Sequence, residues 1–265
     1  MKIPREILGT IGKCIYCGNT NECLQTEHII PYGLNGHWEL RKATCDECAS
    51  ITSAFEMSVL RDSLIELRTA LNLSTRRKKR RPKTFPLIIT KDGKQETINV
   101  PIHKHAVIVN FPISLPPAYL DGRHYESGVD FTGVTPIIVG GLSLEELHKL
   151  HNAKTLSVTQ PWQGNDFERM IAKIAYGFTI AHFGINNMEK VYVIPAILGK
   201  KDDVGYWVGS AKDNKLDVGK HLHLVELSTL NREVIARVKL FALYDVPEYL
   251  VVVGRVSEHI GHRKY

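Results

Sequence analysis

Two cysteine pairs, Cys14-x-x-Cys17 and Cys45-x-x-Cys48, bracket the string Glu27-His28-Ile29-Ile30-Pro31. Thiolates separated by two residues form a knuckle that grips one side of a tetrahedral ion. Two knuckles from separate segments complete its four ligands. The spacing predicts a structural Zn2+ on Cys14, Cys17, Cys45 and Cys48; buried thiols or two disulfides are the alternative uses of such cysteines. The chain opens on Met1-Lys2-Ile3-Pro4, with no apolar signal segment. Its apolar runs are far shorter than a membrane span, so no membrane partner is expected. A cytoplasmic setting is expected, where thiols stay reduced and bind metal. Cys23 is left over and reads as a packed or bystander thiol.

Inside the cysteine bracket, His28 has the chemistry of a general base, because neutral imidazole accepts a proton near physiological pH. Glu27 beside it offers hard carboxylate oxygens to a divalent ion, Mg2+ or Mn2+, of the kind that binds a phosphate. A histidine next to a knuckle can instead replace a cysteine on zinc, or simply pack. Pro31, Gly33 and Gly36 supply the turn chemistry that carries the chain away from this string.

These residues need elements to position them. After Cys48, apolar residues recur at Ile51, Phe55, Val59 or Leu60, and Leu64, which predicts an amphipathic helix leaving the second knuckle. Glu56 shares a helical face with positions 49 and 53. A run of basic residues follows: Arg76, Arg77, Lys78, Lys79, Arg80, Arg81 and Lys83. It supplies half of the 14 basic side chains in residues 1–84, against 9 acidic ones, whereas residues 85–265 are nearly balanced at 20 and 19. Such a run releases counterions along nucleic-acid phosphates, or else serves as a solvated linker or an address signal.

Beyond the run the period changes from helical to alternating. Residues 85–90 and 96–100 flank Asp92-Gly93 as a hairpin, and 106–111 and 136–139 read as further strands. Ser143 and Glu146 form a capping box for a short helix. A longer helix runs from Asp166 to about His182 before Gly184, with charges opposite its apolar stripe expected in solvent. Segments 221–227, 234–243 and 249–256 are strands. His221 and His223 alternate on the first of these and read as ordinary surface or core histidines. The expected organisation is a metal-bound module at 1–73, a basic linker at 74–84 and a β-rich α+β domain at 85–265. The hydrophobic content of 43% is enough for a real core.

The pattern Cys14-Ile-Tyr-Cys17-Gly18, Glu27-His28-Ile-Ile-Pro31, Gly33-Leu34-Asn35-Gly36 and Thr44-Cys45-Asp-Glu-Cys48 resembles the HNH endonucleases that carry a zinc-binding cysteine quartet. The resemblance covers about residues 12–60. It implies an α+β fold opening on a ββα-metal finger, followed here by a larger β-rich α+β domain. It implies metal-dependent hydrolysis of DNA phosphodiester bonds, with His28 as base and Glu27 on a catalytic Mg2+ or Mn2+. Zinc would be structural, and the 76–83 run would clamp phosphates, most simply of double-stranded DNA. A bacterial or phage defence or mobile-element setting is implied by the resemblance alone. Two positions depart from the family pattern. Leu40 stands where an Asn orients the catalytic His, and Ala49 stands where a His or Asn binds the ion from the helix. Asn35 and His37 are candidates for the missing roles, as is Glu56, which lies two turns beyond position 49 and is otherwise an ordinary ion-pair partner of Arg61 or Lys42. The alternative these departures favour is a catalytically degenerate HNH zinc module that binds nucleic acid or a protein partner. The domain at 85–265 is left for substrate selection, regulation or homo-oligomerisation.

Overall fold

The computed structural model describes residues 5–20, 23–76, 78–152, 155–157, 160–162, 164–216 and 219–257. Strand β1 (Glu6–Thr10), β2 (Gln25–His28) and β3 (Trp38–Thr44) form a three-stranded sheet in the order β1-β3-β2. β1 is parallel to β3, while β2 is antiparallel to it and sets Glu27 opposite Leu40 and His28 opposite Glu39. Between β2 and β3 the chain passes Pro31 and a short turn at Tyr32–Leu34. Gly36 is required there, because a Cβ would lie 1.9 Å from the carbonyl oxygen of Ile30. Helix α1 (Asp46–Ser58) follows β3 directly, with Asp46 and Glu47 in its first turn where the helix dipole favours acids.

The apolar period predicts one helix as far as Leu64, but the chain widens into a π turn at Val59–Ser63 before α2 (Ile65–Ala70). Distant partners account for the interruption. The Leu64 N–H bonds back to Val59, and the carbonyl of Leu60 instead accepts from Arg68 at 2.7 Å. Ser63 donates its hydroxyl to the Pro161 carbonyl, and its own carbonyl accepts from Gln160.

The rest of the chain supplies three more sheets. β4 (Thr84–Lys91) and β5 (Lys94–Pro101) make the expected hairpin, with Asp92 and Gly93 both at positive φ in its two-residue turn. β6 (Ala106–Ser114) is joined through α3 (Ala118–Asp121) to its antiparallel partner β7 (Phe131–Gly141). α4 (Leu144–His151) carries the predicted Ser143–Glu146 capping box, and β8 (Thr155–Ser157) adds to β4. α5 (Asp166–Phe183) stops at Gly184. Then come β9 (Met188–Val191), α6 (Ile194–Ile197), α7 (Val204–Trp207), β10 (Val208–Ser210), β11 (His223–Leu230), β12 (Glu233–Leu240) and β13 (Tyr249–Val256). The last sheet has the order β10-β13-β12-β11, and β9 also pairs with β13.

One hydrophobic cluster runs from Cys14, Ile29, Leu40 and Phe55 through Phe167, Ile171, Ile174 and Ile180 of α5 to Val238, Tyr249 and Val253. The segment at 74–84 therefore joins two stretches of sequence that share one core. α5 also overturns the expectation of solvated charges on its far side. Lys173 and Tyr176 are 2% and 1% exposed. Arg169 lies over the Phe55 ring at 4.6 Å and donates to the Ile197 carbonyl at 2.8 Å. Among the described residues, no helix is long and apolar enough to cross a membrane.

Candidate functional site

The two knuckles meet as their spacing predicts. The Sγ atoms of Cys14, Cys17, Cys45 and Cys48 all lie within 4.8 Å of one another, and those of Cys17 and Cys45 are 3.6 Å apart. Tetrahedral zinc with bonds of about 2.3 Å requires sulfurs about 3.8 Å apart, so the cage fits this ion. The first knuckle is closed by the Gly18 N–H on the Cys14 carbonyl, with Gly18 at φ 78°. The second is the start of α1, where Cys45 is the N-cap and Cys48 lies in the first turn. All five cysteines are free thiols, which removes the disulfide alternative, and Cys23 is exposed apart from the cage.

The electrostatics of the cage follow from its backbone. Burial pushes the Cys14 thiol up, but N–H groups of Cys17, Cys45 and Tyr16 outweigh it and bring the group to about 7. Burial raises Cys45 and Cys48. Thiols that resist ionisation in a shared apolar cage are those that a bound cation ionises. Zinc there would fix the ends of the β2–β3 segment to the start of α1 and act as a staple.

His28 ends β2 and keeps 18% of its side chain exposed. Its Nδ1 lies 3.5 Å from Oε1 of Glu39, the residue opposite it on β3, and Arg5 approaches the same carboxylate oxygen at 3.2 Å. Glu39 thus faces the imidazole across the strand pair without a hydrogen bond to it, one position before Leu40. Leu40 itself is fully buried. Burial, followed by the charges of Lys173, Arg5 and Arg76, lowers the His28 pKa to about 4. The ring is therefore neutral at physiological pH, with cations around it. It is not part of the cysteine cage, so the reading of His28 as a zinc ligand is set aside.

Glu27 and Glu56 do come together, from β2 and α1. Between them stands the ammonium of Lys173 from α5, 2.6 Å from Glu27 and 2.8 Å from Glu56. The same Nζ donates to the backbone carbonyl of His28. Burial disfavours the Lys173 charge, but Glu27 and Glu56 outweigh it and hold its pKa above the ordinary lysine value. Burial raises the Glu56 carboxyl despite the Lys173 charge. The buried hydroxyl of Tyr16 is raised by burial and by the neighbouring Glu27 and Glu56. The oxygens expected to receive a divalent ion are thus taken up by an ammonium, and these residues do not fit a catalytic Mg2+ or Mn2+. Glu56 pairs with Lys173 and not with Lys42 or Arg61.

The other substitutes have structural employment. Asn35 accepts from the Ser74 N–H at 2.7 Å, and the His37 ring packs 5.3 Å from Trp38. His221 is exposed ahead of β11. His223 is a clasp: its Nδ1 accepts from the Phe241 N–H, so Nε2 carries the proton and donates to the Leu34 carbonyl at 2.7 Å.

The basic run is divided. Arg76, Lys78, Lys79, Arg80 and Lys83 are exposed, while Arg77 lies outside the described residues. Arg81 is tied back to Asn72 and to the Leu73 carbonyl, which leaves it less free for a ligand. Arg76 places the first charge of the run within electrostatic reach of His28. No family model matches the chain, and neither a curated protein nor a solved structure matches it.

Proposed function

We propose that this chain is a zinc-stapled, HNH-type endonuclease that hydrolyses phosphodiester bonds in DNA, with His28 as general base. The observation that carries this reading is the partly exposed His28 ring at the end of β2, with its Nδ1 3.5 Å from Glu39 and Arg5 at 3.2 Å from the same carboxylate oxygen. With Nδ1 turned toward Glu39, Nε2 is the atom that takes a proton from water. The resulting oxygen nucleophile attacks phosphorus, the P–O3′ bond breaks, and the departing oxygen is protonated from solvent. Glu39 stabilises the imidazolium that forms. Arg5 and Arg76 supply positive charge to the phosphate, where fixed charges lower the barrier most. The exposed part of the 76–83 run holds the duplex backbone without reading its sequence.

The second reading is a finger that binds DNA without cutting it. It is favoured by the lysine that stands between Glu27 and Glu56. Duplex binding and strand scission, measured on the same preparations, separate the two. The nuclease reading expects scission by the wild type, much slower scission by His28→Ala, and equal duplex affinity for both. Binding without scission under any metal or pH condition selects the second reading.

A further inference from the structure

We propose that Lys173 is a built-in cation of the finger, occupying the position of a divalent ion among Glu27, Glu56 and the His28 carbonyl, and that its removal opens that position to a metal. An ammonium has three N–H donors and no acceptor. The three oxygens around Nζ, one from each carboxylate and one from the backbone, match that number. All are hard oxygen donors of the type that binds Mg2+ or Mn2+. The lysine is 2% exposed, and no other basic side chain pairs with Glu27 or Glu56 among the described residues. Its single charge balances one of the two carboxylates inside a buried site, where an unpaired charge is strongly disfavoured.

The arrangement also explains how α5 and the finger are held in one register. Lys173 reaches β2 through Glu27 and His28, and α1 through Glu56, so a single charged group ties three elements together. Tyr176, one turn further along α5, donates its hydroxyl to the Ile15 carbonyl beside the first knuckle. The assignment concerns the ion position alone and holds for a cutting or a merely binding finger.

The test is Mn2+ binding to the full zinc-loaded chain, followed by electron paramagnetic resonance. Lys173→Met keeps the side-chain stem to the atom before the ammonium and leaves the ammonium's place open. The wild type is expected to show no Mn2+ site that Glu56→Gln abolishes. Lys173→Met should acquire one Mn2+ per chain, at least about tenfold tighter than any wild-type binding, and lose it again in Lys173→Met/Glu56→Gln. Its melting temperature should rise with added Mn2+ while that of the wild type stays fixed. A wild-type site that depends on Glu56 overturns the proposal. So does a folded Lys173→Met chain that binds no Mn2+, or one that stays unfolded even when Mn2+ is supplied, since the ion should then replace the lost charge.

Discussion

At the scale of single residues, His28 gains its properties from neighbours far apart in sequence. Burial and three cations keep its ring neutral down to about pH 4. Imidazole resonances of His28 should therefore titrate near pH 4 and not near 6.5. Arg76→Ala and Arg5→Ala should each move that titration upward, because each removes a repelling charge. Glu39→Gln removes the carboxylate that faces the ring. It should slow strand scission in a plasmid-cleavage assay. Glu39 was hidden in the sequence because its link to His28 runs across a strand pair, at a register that no local motif declares. The cysteines were legible for the opposite reason: each knuckle is a local turn, and its chemistry is written in four residues.

At the scale of elements, hairpin and helix ends were readable wherever they depend on local chemistry, as at Asp92-Gly93, the Ser143–Glu146 box and Gly184. The π turn at Val59–Ser63 was not, because its partners Gln160 and Pro161 lie nearly a hundred residues away. Lys173 was misplaced in solvent for the same kind of reason, since the acids that receive it belong to β2 and α1. His223 makes an element-scale prediction. Burial lowers its pKa from 6.5 to about 4, with the Leu34 carbonyl opposing the shift. Between those values the unfolded chain binds a proton that the folded chain refuses, so stability rises with pH across the window. The contribution is full above about pH 6.5 and is lost as pH falls toward 4, amounting to about 3 kcal/mol. Denaturant unfolding at pH 7 and pH 5 should show part of this loss, and His223→Gln, which cannot charge, should reduce it and leave the share of the similarly shifted His28.

At the scale of the whole molecule, the cysteine-bearing N-terminal part and the larger part share a core and a buried ion pair. Zinc is therefore expected to stabilise the entire chain. Cys45→Ser should abolish stoichiometric binding of added zinc and lower the melting temperature of the whole protein, whereas Cys23→Ser should leave both unchanged. The exposed basic turn makes a separate prediction. Replacing Lys78, Lys79 and Arg80 together by Ala should weaken duplex binding for every sequence alike, and reduce the slope of log affinity against log salt by about 3. The central claim, that His28 takes the proton from the attacking water, is tested most directly by chemical rescue. His28→Ala should cut supercoiled plasmid about 10²–10⁴-fold more slowly than wild type. Added imidazole should restore much of that loss while leaving the wild-type rate unchanged. Cutting by His28→Ala at the wild-type rate would contradict the account.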